Sequence, residues 1–284
     1  MGDFMPGGHG NCWNLIPSIH NDRRHMGSSN AIYRPKGTPL IGQFRTVSPQ
    51  MLYLLAGRLT PWFSIAAACS CLAGLYFGFF VAPTDPEQGE SHRILLIYIP
   101  AVWLAGAIYL AMATAAGLGF FYRTAALSML ATGMAPTGAL FAFLAVWSGA
   151  LWGKPNFGAW FLSDPLFTTE GLILALFLGF IALQAAIEQY IRADRAGAAL
   201  SITGAAMLPL VYLALRWWTL VHQLTDLSVP SPIAMDNPML VGTLLMAAGL
   251  MAYATAAIFA RVRSVILERE RRTDWVAQLL NEQL

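Results

Sequence analysis

Apolar residues come in six long runs separated by short polar, proline-rich or glycine-rich breaks. The runs cover residues 61–82, 94–121, 125–149, 167–190, 197–221 and 239–262. Each reaches the roughly 20 residues that a helix needs to cross the hydrocarbon core of a bilayer. Backbone groups in hydrocarbon have no water to bond, so such runs predict helices rather than irregular chain. Pro83 and Pro86 close the first run, Pro155 and Pro165 flank the third connection, and Pro230, Pro232 and Pro238 fill the fifth. Pro136 and Pro209 fall inside runs, where neighbouring helices can absorb the kink, and Pro100 lies near the start of the second. The pattern predicts an all-α fold, a polytopic membrane bundle of six transmembrane helices.

Composition agrees. Only 11% of the residues are charged, against roughly 25% in a soluble domain. The net charge of +2 gives no basis for nucleic-acid binding. Basic residues are distributed unevenly. Arg23, Arg24, Arg34, Lys36, Arg45, Arg58, Arg123, Arg192, Arg195, Arg261, Arg263, Arg269, Arg271 and Arg272 fall on one side of the six spans. Arg93, Lys154 and Arg216 fall on the other. The positive-inside rule then makes both termini cytoplasmic and turns the connections at 83–93, 150–166 and 222–238 outward. The expected organisation is a polar, disordered cytoplasmic tail over 1–45, a six-helix membrane domain over 46–262 with an aromatic outer loop at 150–166, and a cytoplasmic helix over 263–284. Glu268 and Arg272 have the i,i+4 spacing of a solvated helix there. Residues 1–50 lack the apolar core of a secretory signal.

Candidate chemistry sits in the outer loop. Trp152-Gly153-Lys154-Pro155-Asn156-Phe157-Gly158-Ala159-Trp160-Phe161-Leu162-Ser163-Asp164 sets flat rings at a membrane surface and ends on a carboxylate. Such a surface suits a flat, apolar ligand with a charged edge, and haem is the obvious candidate. Asp164 also fits a plain Asp-Pro turn. Cys12, Cys69 and Cys71 form neither CxxC nor CxxCH, so no covalent haem attachment is expected. His9, His20 and His25 are irregularly spaced in the tail and make a weak metal site. Glu170 and Glu188 lie at opposite ends of the fourth span, where both are expected to stay near water. A Gly-rich phosphate loop, GxSxG and HExxH are all missing, which disfavours a hydrolase or NTPase. Neither an internal repeat nor paired broken helices support a solute transporter.

Several segments resemble the cytochrome c maturation protein C (haem exporter protein C) family. They are Ala82-Pro83-Thr84-Asp85 with Gln88-Gly89, Tyr98-Ile99-Pro100-Ala101, Trp152-Gly153-Lys154-Pro155, Thr168-Thr169-Glu170, Leu208-Pro209, and Arg216-Trp217-Trp218 with His222-Gln223. The resemblance covers residues 50–280 and implies non-covalent, b-type haem bound at the outer face between two axial histidines, under a segment of pattern WGxWWxWD. It implies handover to a periplasmic haem chaperone, association with an ABC-type membrane subunit and its ATPase, and a place in the bacterial inner (cytoplasmic) membrane. It implies transport without catalysis by this chain.

The chain departs from that pattern at the ligands. Tyr98 and Tyr212 stand where the family's axial histidines are expected, and Arg216 replaces a glutamate. Trp160 and Asp164 fit the aromatic pattern, while Phe157, Phe161 and Ser163 replace tryptophans beside Gly158. A phenolate is a hard donor that favours ferric iron. Arg216, four residues after Tyr212, lies on the same helix face and suits a phenolate or a haem propionate. Both tyrosines equally suit the aromatic belt of a membrane interface. His92 and His222 are the two outward histidines, six residues from Tyr98 and ten from Tyr212. The reading is a haem-handling protein with an altered site, the alternative a structural or interaction subunit that kept the fold and lost the haem. Fusions test the sidedness: alkaline phosphatase joined within residues 226–236 is expected to be active, and the same enzyme joined at the C terminus inactive.

Overall fold

The computed structural model describes residues 48–86, 88–158, 160, 165–225 and 237–281, with backbone only for Phe157 and for 165–167, 210–225 and 280–281. The described chain is helical. The helices are α1 (Pro49–Tyr76), α2 (Leu95–Tyr122), α3 (Ala125–Phe157), α4 (Pro165–Ala186), α5 (Tyr190–Thr225), α6 (Asn237–Arg269) and α7 (Asp274–Asn281). A π-helical turn, Phe77–Val81, extends α1, and a 3-10 turn, Glu90–Ile94, leads into α2. Among the described residues, five helices are long and apolar enough to cross a membrane. The sixth predicted run, 197–221, lies inside the 36 residues of α5.

Local chemistry sets several of these ends. Ser48 caps α1 by accepting a hydrogen bond from the Met51 amide at 3.2 Å, and Pro49 takes the first helical position, where no amide hydrogen is needed. Arg93 closes the other end of α1: its guanidinium donates to the carbonyls of Gly78 and Phe79 and lies over the Phe79 ring. Glu90 holds that guanidinium at 2.7 Å.

α2 and α3 form the centre. α2 meets α3, α5 and α6, and α3 meets α4 and α6. Over half of the apolar window of α3 is buried (56%), against 17% for α1, which docks almost wholly on α6. Tyr109 of α2 is fully enclosed; its ring meets Phe177 edge-on at 5.2 Å and its hydroxyl donates to the Ser201 carbonyl at 3.3 Å. That one side chain joins α2, α4 and α5. Trp62, Trp103, Phe80 and Phe121 point outward, as a lipid-facing surface requires.

Hydrocarbon supplies little drive for helix association, so close packing must supply it. α1 and α6 cross on small residues: a Cβ on Gly74 would stand 2.8 Å from the Met246 amide nitrogen, and one on Gly249 2.8 Å from that of Cys71. At the basic end of the bundle, Arg269 is the node. Its guanidinium donates to both Asp194 oxygens (3.0 and 3.1 Å), to Thr132 Oγ1 (3.2 Å) and to Gln184 Oε1 (3.3 Å), and lies over Tyr190. It ties the start of α3, the end of α4, the start of α5 and the end of α6.

Two sequence expectations change. α3 runs on through Trp152-Gly153-Lys154-Pro155 to Phe157, so the first part of the predicted outer loop is helical. Pro155 brings no amide hydrogen to the ladder, and the helix stops soon after it: Gly158 adopts φ +75° and its amide donates to Lys154 O at 3.0 Å. The C-terminal helix is broken, since residues 270–273 form a turn and Glu268 and Arg272 share no helix. After that turn α7 packs back, with Val276 buried and Trp275 edge-on to Tyr53 at 5.9 Å. The tail 1–45 lies outside the described residues.

Three substitutions test these contacts. Gly74→Val must push backbone from backbone and is expected to cost about 1–3 kcal/mol. Gly106→Ala, where a Cβ would meet open space, should leave the thermal midpoint in detergent nearly unchanged. Arg269→Ala strands Asp194 and is expected to cost about 3 kcal/mol, measured by the same unfolding.

Candidate haem-handling site at the platform end

The end opposite Arg269 collects the start of α2, the end of α3 and the start of α4. There the polar groups form a connected set. Tyr98 is buried; its hydroxyl donates to Glu170 Oε1 at 2.8 Å, and its ring stacks on Trp152 (centroids 6.4 Å, planes 12° apart). Trp152 Nε1 donates to Gln88 Oε1 at 3.0 Å. The Gln88 amide donates to Asp85 Oδ1 at 2.8 Å, and the Ser91 hydroxyl to the Gln88 carbonyl at 2.5 Å. Ser91 also reaches Asn156 Oδ1 at 3.4 Å, and Asn156 Nδ2 donates to Trp152 O at 2.7 Å. The connection between α1 and α2 is thereby laced to the last two turns of α3.

Glu170 corrects an expectation. It is 4% exposed, enclosed rather than held near water. An enclosed carboxylate needs hydrogen-bond donors, and a phenol from a neighbouring helix is one. A carboxyl five residues into an apolar helix was the available signal, but nothing in the sequence paired it with Tyr98, 72 residues away.

Of the residues singled out as haem contacts, the structure places three with their side chains or, for glycine, its backbone. Trp160 is exposed at this end, with the Lys154 ammonium 5.7 Å from its ring centroid. Lys154 Nζ also donates to Gly158 O at 2.9 Å. Gly158 itself opens outward: a Cβ there would meet nothing within 4 Å, so its left-handed φ, not lack of room, selects glycine. Tyr98 lies deeper, committed to Glu170. Phe157 ends α3, with its side chain outside the described residues, and Phe161 and Asp164 lie outside them altogether. The helical backbone of α5 carries Tyr212, Arg216 and His222; their side chains are likewise not described.

The fit to haem can be judged on these groups. An exposed indole beside an open glycine offers a flat apolar surface, and Lys154, whose ammonium lies over one face of the ring, supplies a cation for a propionate. The surface suits the macrocycle. For the iron, the Tyr98 oxygen would first have to leave Glu170.

Fold and site together define a polytopic helical membrane protein with a polar, aromatic surface at one end. A family model described as Heme exporter protein C matches residues 43–277. The Heme exporter protein C of Escherichia coli K12 is 35% identical over 237 residues, covering 82% of this chain and 94% of the relative. The namesake of Haemophilus influenzae is 34% identical over 235 residues (81% and 94%), and that of Bradyrhizobium diazoefficiens 30% over 226 residues (80% and 86%). The chain belongs to the Heme exporter protein C family, and it is an integral membrane protein.

A double-mutant cycle measures the buried pair. Tyr98→Phe and Glu170→Gln are each expected to lower stability by about 1–3 kcal/mol. Their coupling should reach about 1 kcal/mol, read from unfolding midpoints of the four proteins.

Proposed function

We propose that this chain handles haem during cytochrome c maturation, binding it non-covalently at the outer face and delivering it from there. Family membership and the platform carry the reading: Trp160, Gly158 and Lys154 form an apolar ledge with a cation over its ring, at the end with fewer basic residues. The positive-inside rule turns that end outward, and in a bacterium the membrane is then the inner one. Haem is cargo here, a flat ring with two propionates and an iron that accepts donors on both faces. Phe157 and Phe161 extend the apolar ledge in this reading, Asp164 orients the connection to α4 or meets a basic partner, and Arg216 faces a propionate. Tyr98 and Tyr212 are the family-position donors for iron. Tyr98 serves in that role only by exchanging Glu170 for iron; as placed, it braces Trp152 beneath the ledge.

The chain carries the cargo without catalysing a reaction. Energy for release comes from outside it, through an ABC-type membrane subunit and its ATPase, and a periplasmic chaperone receives the haem. The tail 1–45 and the final helices then face the cytoplasm, on the ATPase side.

Haemin titration of the detergent-purified protein, followed by absorbance and a pyridine haemochrome assay, tests the proposal. Wild type is expected to bind haemin, and Trp160→Ala to bind it roughly three- to tenfold more weakly through loss of an aromatic contact. A protein that stays colourless with excess haemin would leave the interaction-subunit reading in its place.

A further inference from the structure

We infer that His92, rather than Tyr98, is the donor through which this chain meets haem iron at the outer face; the inference rests on the haem-handling reading above. His92 lies in the 3-10 turn that leads into α2 and is 5% exposed. Its Nδ1 is enclosed and makes no hydrogen bond; the facing group is Asp85 Oδ2 at 3.9 Å. An enclosed ring nitrogen without a hydrogen bond is costly, and such a group calls for a reason. A carboxylate facing one nitrogen of an imidazole is the arrangement that fixes a metal-binding histidine. Nδ1–H turns to the carboxylate and Nε2 is left for the metal. Asp85 is itself held by the Gln88 amide at 2.8 Å, and Gln88 is held by Trp152. The orienting carboxylate is thus anchored to the helix that bears the ledge.

The register of the two helices supports the same assignment. α2 and α3 run antiparallel, and Tyr98 stacks on Trp152. Six residues outward from Tyr98 is His92; six residues outward from Trp152 is Gly158. Both steps lead toward the outer end, so His92 and Gly158 both lie outward of the Tyr98–Trp152 pair. The Ser91–Asn156 contact at 3.4 Å sets the 3-10 turn that bears His92 beside the last turn of α3, just inside Gly158. Tyr98 lies one and a half turns deeper, enclosed between Trp152 and Glu170. His92 is itself enclosed, but it sits on a short 3-10 turn nearer to a haem resting on Gly158 and Trp160, whereas iron bound by Tyr98 would have to break the helix-borne Tyr98–Glu170 pair.

The test uses full-length protein in detergent with haemin as the probe, read by absorbance and electron paramagnetic resonance. His92→Gly is expected to weaken haemin binding at least tenfold and to remove the imidazole-ligated signature, with added imidazole restoring it. Tyr98→Phe should leave that signature in place. Asp85→Asn should keep His92 on the iron, weaken binding roughly tenfold, and raise the reduction midpoint by removing negative charge beside the ring. The inference is overturned if His92→Gly keeps the wild-type spectrum and affinity, or if Tyr98→Phe abolishes the signature instead; the haem-handling reading survives both results. Wild type that takes up no haemin overturns that reading and the inference together. If His92→Gly does not fold, Asp85→Asn decides: an unchanged midpoint and affinity overturn the assignment.

Discussion

Inside a bilayer a polar group has only the protein to bond, and that constraint shapes this molecule. The described polar side chains that bridge helices gather at the two ends of the bundle. Arg269 satisfies Asp194, Gln184 and Thr132 at one end; Tyr98, Glu170, Trp152 and Gln88 satisfy one another at the other. Between them the described residues meet largely through apolar rings and glycines, with Tyr109 donating to the Ser201 carbonyl as a polar tie. Each end is a network in which loss of one partner strands another, so both ends hold their helices in register.

The platform end shows how a structural network and a ligand surface share residues. Trp152 stacks on Tyr98 on one side and holds Gln88 on the other. Through Gln88 it fixes Asp85, which faces His92. The ledge of Gly158, Trp160 and Lys154 continues directly from the same helix. Because α3 reaches Phe157, the near part of the ledge is carried on a packed helix rather than on a free loop. On the haem-handling proposal that matters, since a ledge of fixed position can present the same face of a bound ring each time.

Much of the architecture was legible in the sequence. The second run, 94–121, differs from α2 by one residue at each end, because Arg93 and Arg123 bracket it with charge. The end of α3 was misjudged, because Gly153 and Pro155 read as loop residues, yet α3 carries both on to Phe157 before Gly158 stops it. The C-terminal break was hidden because nothing local in 270–273 announces a turn; Trp275 and Val276 pull α7 back onto the bundle by burial that only the fold creates. In the site, side-chain chemistry was legible and pairing was not. Glu170 looked like a carboxylate that could reach water, and His92 was read by its distance from Tyr98 along one helix. Which groups face them depends on how α2 settles against α3 and α4, and that is fixed by rings and methyls spread over the whole bundle.

The pairing of α1 with α6 has a consequence for how the chain is made. The first membrane helix to emerge docks mainly on the last long one, about 160 residues later. At roughly 5–20 residues per second, α1 waits about ten to thirty seconds in the bilayer before its partner is synthesised. During that interval its glycine face is bare to lipid, and four other long helices must enter and pack beside it. α6 therefore reaches α1 only after the helices between them have entered, and insertion machinery or a neighbouring subunit has that window in which to hold α1.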